Sequence, residues 1–95
     1  MANSQTKKAI GATSTAVLAA NSKRVYLCLV NDSDEAIYVK FGLAAVLNEG
    51  HRLNAGGGSL VLTAGQGDSY PVFCKSVNAI CTSGSKNLCV VEMEK

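Results

Sequence analysis

Residues 25–41 read VYLCLVNDSDEAIYVKF and contain two segments with the residue types of β-strands. Residues 25–31 are apolar at nearly every position and rich in β-branched and aromatic side chains, which predicts a strand buried on both faces. In residues 37–41, Ile37, Val39 and Phe41 alternate with Tyr38 and Lys40, which predicts a strand with one face toward a core. The loop between them is long enough to join the two strands as an antiparallel hairpin.

That loop, NDSDE at residues 31–35, has the acidic residues of a metal site and also the residue types of a turn. A calcium loop of the EF-hand type needs a glycine at its sixth position, a glutamate at its twelfth and flanking helices. This stretch has neither the glycine nor helical flanks. Asn, Asp and Ser side chains bond their own backbone in turns, so we interpret the stretch as a turn.

The remaining segments also indicate short strands separated by loops. Residues 12–20, ATSTAVLAA, fit a strand or a short helix, and we favour a strand because the run is shorter than an isolated helix needs. Residues 43–53 fit a helical turn as well as a strand, so their conformation stays open. Three consecutive glycines in residues 54–59 indicate a flexible loop, since no phosphate-binding motif follows them.

The C-terminal part of the sequence predicts a second hairpin. VNAICTS at residues 77–83 and NLCVVEM at 87–93 alternate around SGSK, with Val77, Ala79 and Cys81 on one face. Further strands are predicted at residues 60–63 and 70–73, the latter at a sheet edge because of Pro71. Together, some six to eight short strands predict an all-β fold, a small antiparallel β-sandwich or jelly-roll-like barrel.

The N-terminal residues 1–11 are mostly polar and carry two adjacent lysines. We predict a flexible arm over residues 1–11 and a single β-sandwich domain over residues 12–95. Within the arm, Lys7, Lys8 and Ile10 are the candidate residues for contact with a partner or a neighbouring subunit.

Composition disfavours several classes of function. The net charge of +2 comes from nine bases and seven acids spread along the chain, whereas a nucleic-acid-binding face needs clustered bases. No apolar stretch approaches the roughly 18 residues of a membrane span, and no signal-peptide pattern is present, so we expect assembly in a cytoplasm. Charged residues make up only 17% of the chain, which predicts a surface that is partly apolar or covered by a partner.

The reactive side chains do not form a catalytic or metal-binding pattern. The sequence has a single histidine, His51, and none of the hydrolase or metalloprotease motifs. The cysteines lack a C-x-x-C pair, and we expect them to be reduced, buried thiols. We therefore predict a protein that is not an enzyme and has no cofactor. The four cysteines are Cys28, Cys74, Cys81 and Cys89.

The order of the segments resembles small virion proteins of tailed bacteriophages. The resemblance is carried by VLAANSKRVYLCLVNDSDEAIYVKFG at residues 17–42, HRLNAGGGSLVL at 51–62 and VNAICTSGSKNLCVVE at 77–92. It implies a β-sandwich on a capsid or a virion appendage, and the short chain fits a capsid decoration (cement) protein. The four cysteines and residues 43–53 do not belong to the family pattern, so the resemblance assigns them no role.

For the partner and location, the resemblance implies the major capsid protein of the same phage and the outer surface of the virion. It also implies a homo-oligomer, with a trimer favoured. The alternative is an appendage or fibre-base module that binds a host-surface glycan. In that case the loops at residues 31–36, 54–59 and 83–87 would carry the contacts.

Overall fold

The structure, a computed structural model, describes residues 3–63 and 75–94. Within these residues the chain forms eight β-strands and no helix. In chain order the strands are β1 (Asn3–Ile10), β2 (Thr15–Leu18), β3 (Arg24–Asn31), β4 (Ile37–Phe41), β5 (His51–Leu53), β6 (Ser59–Thr63), β7 (Val77–Ile80) and β8 (Lys86–Glu94).

The strands pair in a nested order. β1 pairs with β8, β2 with β7, β3 with β6 and β4 with β5, all antiparallel. Pairings of β3 with β8 and of β4 with β7 join them into sheet A, ordered β1-β8-β3-β6, and sheet B, ordered β2-β7-β4-β5. This is the strand order of a jelly roll, in which a long antiparallel ribbon folds over into two facing sheets. The predicted all-β sandwich is confirmed.

Aliphatic side chains at alternate strand positions form the core between the two sheets. The predicted inward faces are confirmed, because Ile37 and Val39 of β4 and Val77 and Ala79 of β7 are all fully buried. Burying one such Ile, Val or Leu side chain contributes about 1.5–3 kcal/mol, so this cluster holds the sheets together. Its members are Ile10, Leu27, Leu29, Ile37, Val39, Leu53, Val77, Ala79, Cys81, Leu88 and Val90.

The two predicted hairpins are wrong. β3 belongs to sheet A and β4 to sheet B, so residues 32–36 carry the chain from one sheet to the other. Residues 81–85 do the same between β7 and β8. A turn between two alternating segments looks the same in sequence whether the second strand pairs with the first or crosses the core, because both arrangements bury the same alternate side chains.

The predicted flexible arm is corrected to an edge strand. β1 pairs with β8 along its whole length, and Ile10 at its end is fully buried. The segment is polar because it lies at the edge of sheet A, where Lys7 and Lys8 are exposed. Residues 3–10 are therefore part of the sandwich.

A buried arginine closes the end of the sandwich where β3 begins. Arg24 Nε donates to Glu92 Oε2 at 2.7 Å, and its two terminal nitrogens donate to the carbonyl oxygens of Lys75 at 2.9 Å and Ala19 at 2.8 Å. Asn21 Nδ2 also donates to Glu92 Oε2, at 3.3 Å. A buried charge is stable only when it is paired and hydrogen-bonded, so this cluster ties β3, β8 and the start of β7 together.

The other strand predictions have mixed outcomes. Strands predicted within residues 12–20 and at 60–63 are confirmed as β2 and β6. The open segment 43–53 consists of a loop that ends in β5. The strand predicted at residues 70–73, with Pro71, and Cys74 lie outside the described residues.

Candidate functional site

The outer face of sheet A has an apolar centre, bordered by polar side chains. Residues opposite each other on antiparallel strands share a face, so the register of the strands defines which side chains point away from the core. The polar side chains on this face are Gln5, Lys7, Ser59, Thr63 and Asn87. Among the apolar side chains of β3, β6 and β8 on this face, Val61 is 52% exposed and the others are half-buried. We call this set the A face; it consists of Tyr26, Cys28, Val30, Val61, Cys89, Val91 and Met93.

The A face corrects the prediction that β3 is buried on both faces. Leu27 and Leu29 point into the core and are fully buried, whereas Cys28 and Val30 on the other side are half-buried. Sheet B packs on the inner face of sheet A, and no described strand packs on the outer face. The sequence signal for a second apolar surface is present in β3 and again in β8, and it marks a surface without a strand neighbour in the described chain.

Sheet B differs, because the loop at residues 42–50 covers part of its outer face. Asn78 Nδ2 of β7 donates to the carbonyl oxygen of Leu43 at 2.7 Å. The Ala45 N–H donates to Ser14 Oγ, just before β2, at 2.9 Å. These bonds draw the loop from β4 across β7 to the edge of the sheet. Leu43 itself stays 64% exposed at the surface of the loop.

The loop returns to β5 through a glycine that its path requires. Gly50 has a φ of +82°, in the left-handed region that favours glycine, and a Cβ there would collide with the carbonyl oxygen of Val39. Beside it, Lys40 Nζ donates to Glu49 Oε1 at 2.6 Å. The loop is therefore fixed at both ends, and it keeps part of the outer face of sheet B covered.

The edge strand β1 carries the predicted contact residues. Sheet A places β8 on one side of β1, and no described strand lies on the other side. The backbone groups along that edge can pair with a strand of a partner, although edge lysines also hinder unwanted pairing. Lys7 and Lys8 are exposed there, whereas the fully buried Ile10 belongs to the core and not to a contact surface.

Three loops meet at one end of the sandwich. The Asn31 N–H donates to the Gly58 carbonyl and the Gly57 N–H donates to the Asn31 carbonyl, both at 2.8 Å. The Asp32 N–H donates to the Asn87 carbonyl at 3.1 Å. Residues 31–36, 54–59 and 83–87 thus form one polar surface, which we call the loop end.

Turn hydrogen bonds shape residues 31–35, which confirms their interpretation as a turn. The buried Asn31 side chain donates from Nδ2 to the carbonyl oxygens of Glu35 at 2.6 Å and Leu53 at 2.9 Å. Ser33 Oγ donates to Asn31 Oδ1 at 2.6 Å. The turn is therefore held by its own side chains and by the end of β5.

Charged groups at the loop end are paired across the loops. Lys86 Nζ donates to Asp34 Oδ1 at 2.6 Å, and this hydrogen bond lowers the pKa of Asp34 and raises the pKa of Lys86. The Ser83 hydroxyl and N–H donate to the Glu35 carboxylate, and these bonds lower the pKa of Glu35. Asp34 is solvated, since its side chain is 80% exposed, whereas the Lys86 side chain is 21% exposed.

The three cysteines that the structure describes are free thiols in two environments. Cys81 is fully buried as expected, and burial raises the pKa of its thiol. The burial prediction is wrong for Cys28 and Cys89, which are half-buried on the A face. They occupy diagonal positions on neighbouring strands, about 7–8 Å apart, which exceeds the roughly 4.4–6.8 Å between Cα atoms of a disulfide.

His51 is exposed on β5 and makes an edge-on contact with the Phe41 ring, with centroids 5.5 Å apart. Within residues 3–63 and 75–94, no three His, Cys, Asp or Glu side chains are placed to hold a metal ion. The same part of the chain has no helix of the length and hydrophobicity that a membrane span requires.

Comparison with family models, curated proteins and solved structures finds no match to this chain. The resemblance to phage virion proteins therefore stays a prediction from the sequence.

Proposed function

We propose that the chain is a non-enzymatic structural protein of a bacteriophage virion that decorates the capsid shell and stabilises it as a cement protein. The observation that carries this proposal is that strand β1 has no described neighbour on one side, at the edge of a sheet whose outer face is apolar at its centre. A protein that acts alone keeps apolar patches small and protects its strand edges. A protein whose apolar faces and strand edges are covered by neighbours in an assembly does not need either of these protections.

Two further points support the proposal. The order of sequence segments resembles phage virion proteins, and jelly rolls occur among viral capsid domains. The second point is an analogy at the level of the fold, which by itself does not assign a function.

In this proposal the β1 edge binds the major capsid protein of the same phage, on the outside of the virion. Lys7 and Lys8 contact acidic groups of the shell, and the β1 backbone pairs with a shell segment. A contact of about 1,200–2,000 Å² suffices for a stable specific complex, and repetition over the shell multiplies its effect. The protein would thereby add buried interface between shell subunits.

Adding the purified protein to expanded and to unexpanded shells tests the proposal. We expect it to sediment with expanded shells and to raise their melting temperature. Failure to bind either form would contradict the proposal.

A charge-reversed variant tests the β1 contact. Lys7→Glu with Lys8→Glu should weaken attachment by about tenfold, because rim charges set encounter rate and orientation. The matched control is Lys23→Glu with Arg52→Glu, which changes the net charge equally at exposed residues outside β1. An equal loss in both variants would show that only net charge matters.

A second candidate function is an appendage module that binds a host-surface glycan. The observation that favours it is the convergence of residues 31–36, 54–59 and 83–87 at the loop end. Polar side chains such as Asp32 and Asn87 are grouped there, and jelly rolls also occur among lectins.

Two measurements separate the candidates. A glycan array with the purified protein should show no binding if the protein is a cement protein, and selective binding if it is an appendage module. The copy number per particle should be high for a protein spread over the shell and low for one located at a tail.

A further inference from the structure

We propose that the A face binds the A face of a second copy of this chain. This inference rests on the outer face of sheet A and does not depend on attachment to a shell. It assigns a role to the A face, which neither the proposed β1 contact nor the loop end uses.

The chemistry of the A face limits what can cover it. Among the described residues of the outer face of sheet A, Lys7 is the one that carries a charge, and it lies on the edge strand. A strongly charged partner would find no opposite charge at the centre of this face. The fitting partner is another flat, uncharged sheet surface, and the chain itself supplies one.

The size of the face agrees with a weak but specific pair. The four strands of sheet A have 8, 8, 9 and 5 residues, so at about 4.8 Å between strands and about 3.3 Å per residue the whole outer face covers roughly 500 Å², of which the three strands of the A face cover roughly 350 Å². Two copies in contact over the whole outer face, with β1 included, would bury roughly 1,000 Å², which is near the lower limit for specific interfaces. We therefore expect a reversible dimer whose population depends on concentration.

The symmetry of such a contact fixes the number of copies. A face that binds its own copy is related to it by a two-fold axis, which closes the assembly at two chains. Packed sheets lie about 10 Å apart, so Tyr26, Val91 and the two thiols would become buried, while Lys7 stays at the hydrated rim. The resemblance implies three copies, so the mass of the free protein decides between the two-fold pair and a trimer.

Sedimentation of the full-length chain over about 1 μM to about 1 mM brackets the Kd expected for such an interface. We expect the mass to rise from one chain to two across this range. Val61→Lys places a charge on an exposed position of the A face and should raise the Kd about tenfold or more. Leu43→Lys is the matched control, because Leu43 is 64% exposed on the loop that covers sheet B, and it should leave the Kd unchanged.

Thiol labelling gives a second measurement that needs no substitution. Cys28 and Cys89 should react with a maleimide about tenfold more slowly at high than at low protein concentration, as judged by mass spectrometry of their peptides. Cys81 is the internal reference, because it is fully buried in the single chain.

The possible results divide clearly. A concentration-dependent two-chain mass that Val61→Lys weakens and Leu43→Lys does not, with protection of Cys28 and Cys89, supports the inference. A single-chain mass throughout, a three-chain mass, or equal effects of the two variants would overturn it. None of these results depends on whether a shell binds the protein.

Discussion

Arg24 places a positive charge inside the sandwich, where Glu92 and two backbone carbonyls hold it. Arg24→Ala should lower the free energy of unfolding by about 3 kcal/mol, the lower end of the range for breaking a buried pair, because Glu92 keeps 17% exposure. Urea denaturation measures this change. Arg24→Lys keeps the charge but loses part of the hydrogen-bonding fork, so its loss should be intermediate. A loss below about 1 kcal/mol in Arg24→Ala would mean that the cluster does not close this end.

Glu35 makes the stability depend on pH through its bonds from Ser83. Because its folded-state pKa lies below its unfolded value, the unfolded chain binds more protons in acid. This stabilisation is present above the ordinary glutamate pKa and is lost as the pH falls through the lowered folded-state pKa. The pKa of Lys86 is raised in the folded chain, so the contribution of Lys86 to stability is present at neutral pH and is lost only above about pH 10.

Melting curves of wild type and Glu35→Gln test this account. The variant should melt at a lower temperature near neutral pH, and the difference should shrink as the pH falls below the ordinary glutamate pKa and vanish once folded Glu35 is protonated. Glu49→Gln removes an exposed carboxylate that pairs with Lys40 in the loop on sheet B, so it controls for the loss of a surface ion pair elsewhere. A difference between wild type and Glu35→Gln that stays constant with pH would contradict the account.

Strand β1 is the element for which sequence and structure differ most, and substitutions can test it. Ile10→Ala should lower the free energy of unfolding by about 2–4 kcal/mol, because Ile10 is fully buried in the core. Lys8→Ala, two positions earlier and exposed, should change it by less than about 0.5 kcal/mol. If both substitutions are near neutral in urea denaturation, β1 is an undocked arm after all.

The edge position of β1 explains why the sequence does not predict it. An edge strand buries little on either side, so it shows no alternation beyond Ile10 at its end. The central strands behave differently, because Leu27 and Leu29 or Ile37 and Val39 must reach the core and so produce a recognisable pattern. Hydrophobic alternation in the sequence therefore locates the buried strands and misses the polar edge strand β1.

Pairing between strands is harder to predict than the strands themselves. β1 and β8 are neighbours although they lie at opposite ends of the chain. The pairs β2 with β7, β3 with β6 and β4 with β5 lie between them in the sequence, because one long antiparallel ribbon folds over into two sheets. A turn such as residues 31–35 records only local hydrogen bonds, which do not tell to which sheet the next strand goes. The all-β class and the buried central strands could be predicted, and the partners of the strands could not.

For the molecule as a whole, the sequence indicates single exposed residues more readily than surfaces that several strands form together. Lys7 and Lys8 are exposed at a strand edge as a contact would require. The A face was missed, because an apolar run in β3 looks the same whether its second side is covered by the same chain or open to a partner. The convergence of the three loops likewise depends on strand order, which the sequence does not display.

Electron cryomicroscopy of particles decorated with the protein tests most directly whether it is a capsid decoration protein. We predict density for the sandwich distributed over the outer shell, with the β1 edge against a shell subunit. Density confined to a tail or fibre, or a shell that carries none of the protein, would contradict the proposed function.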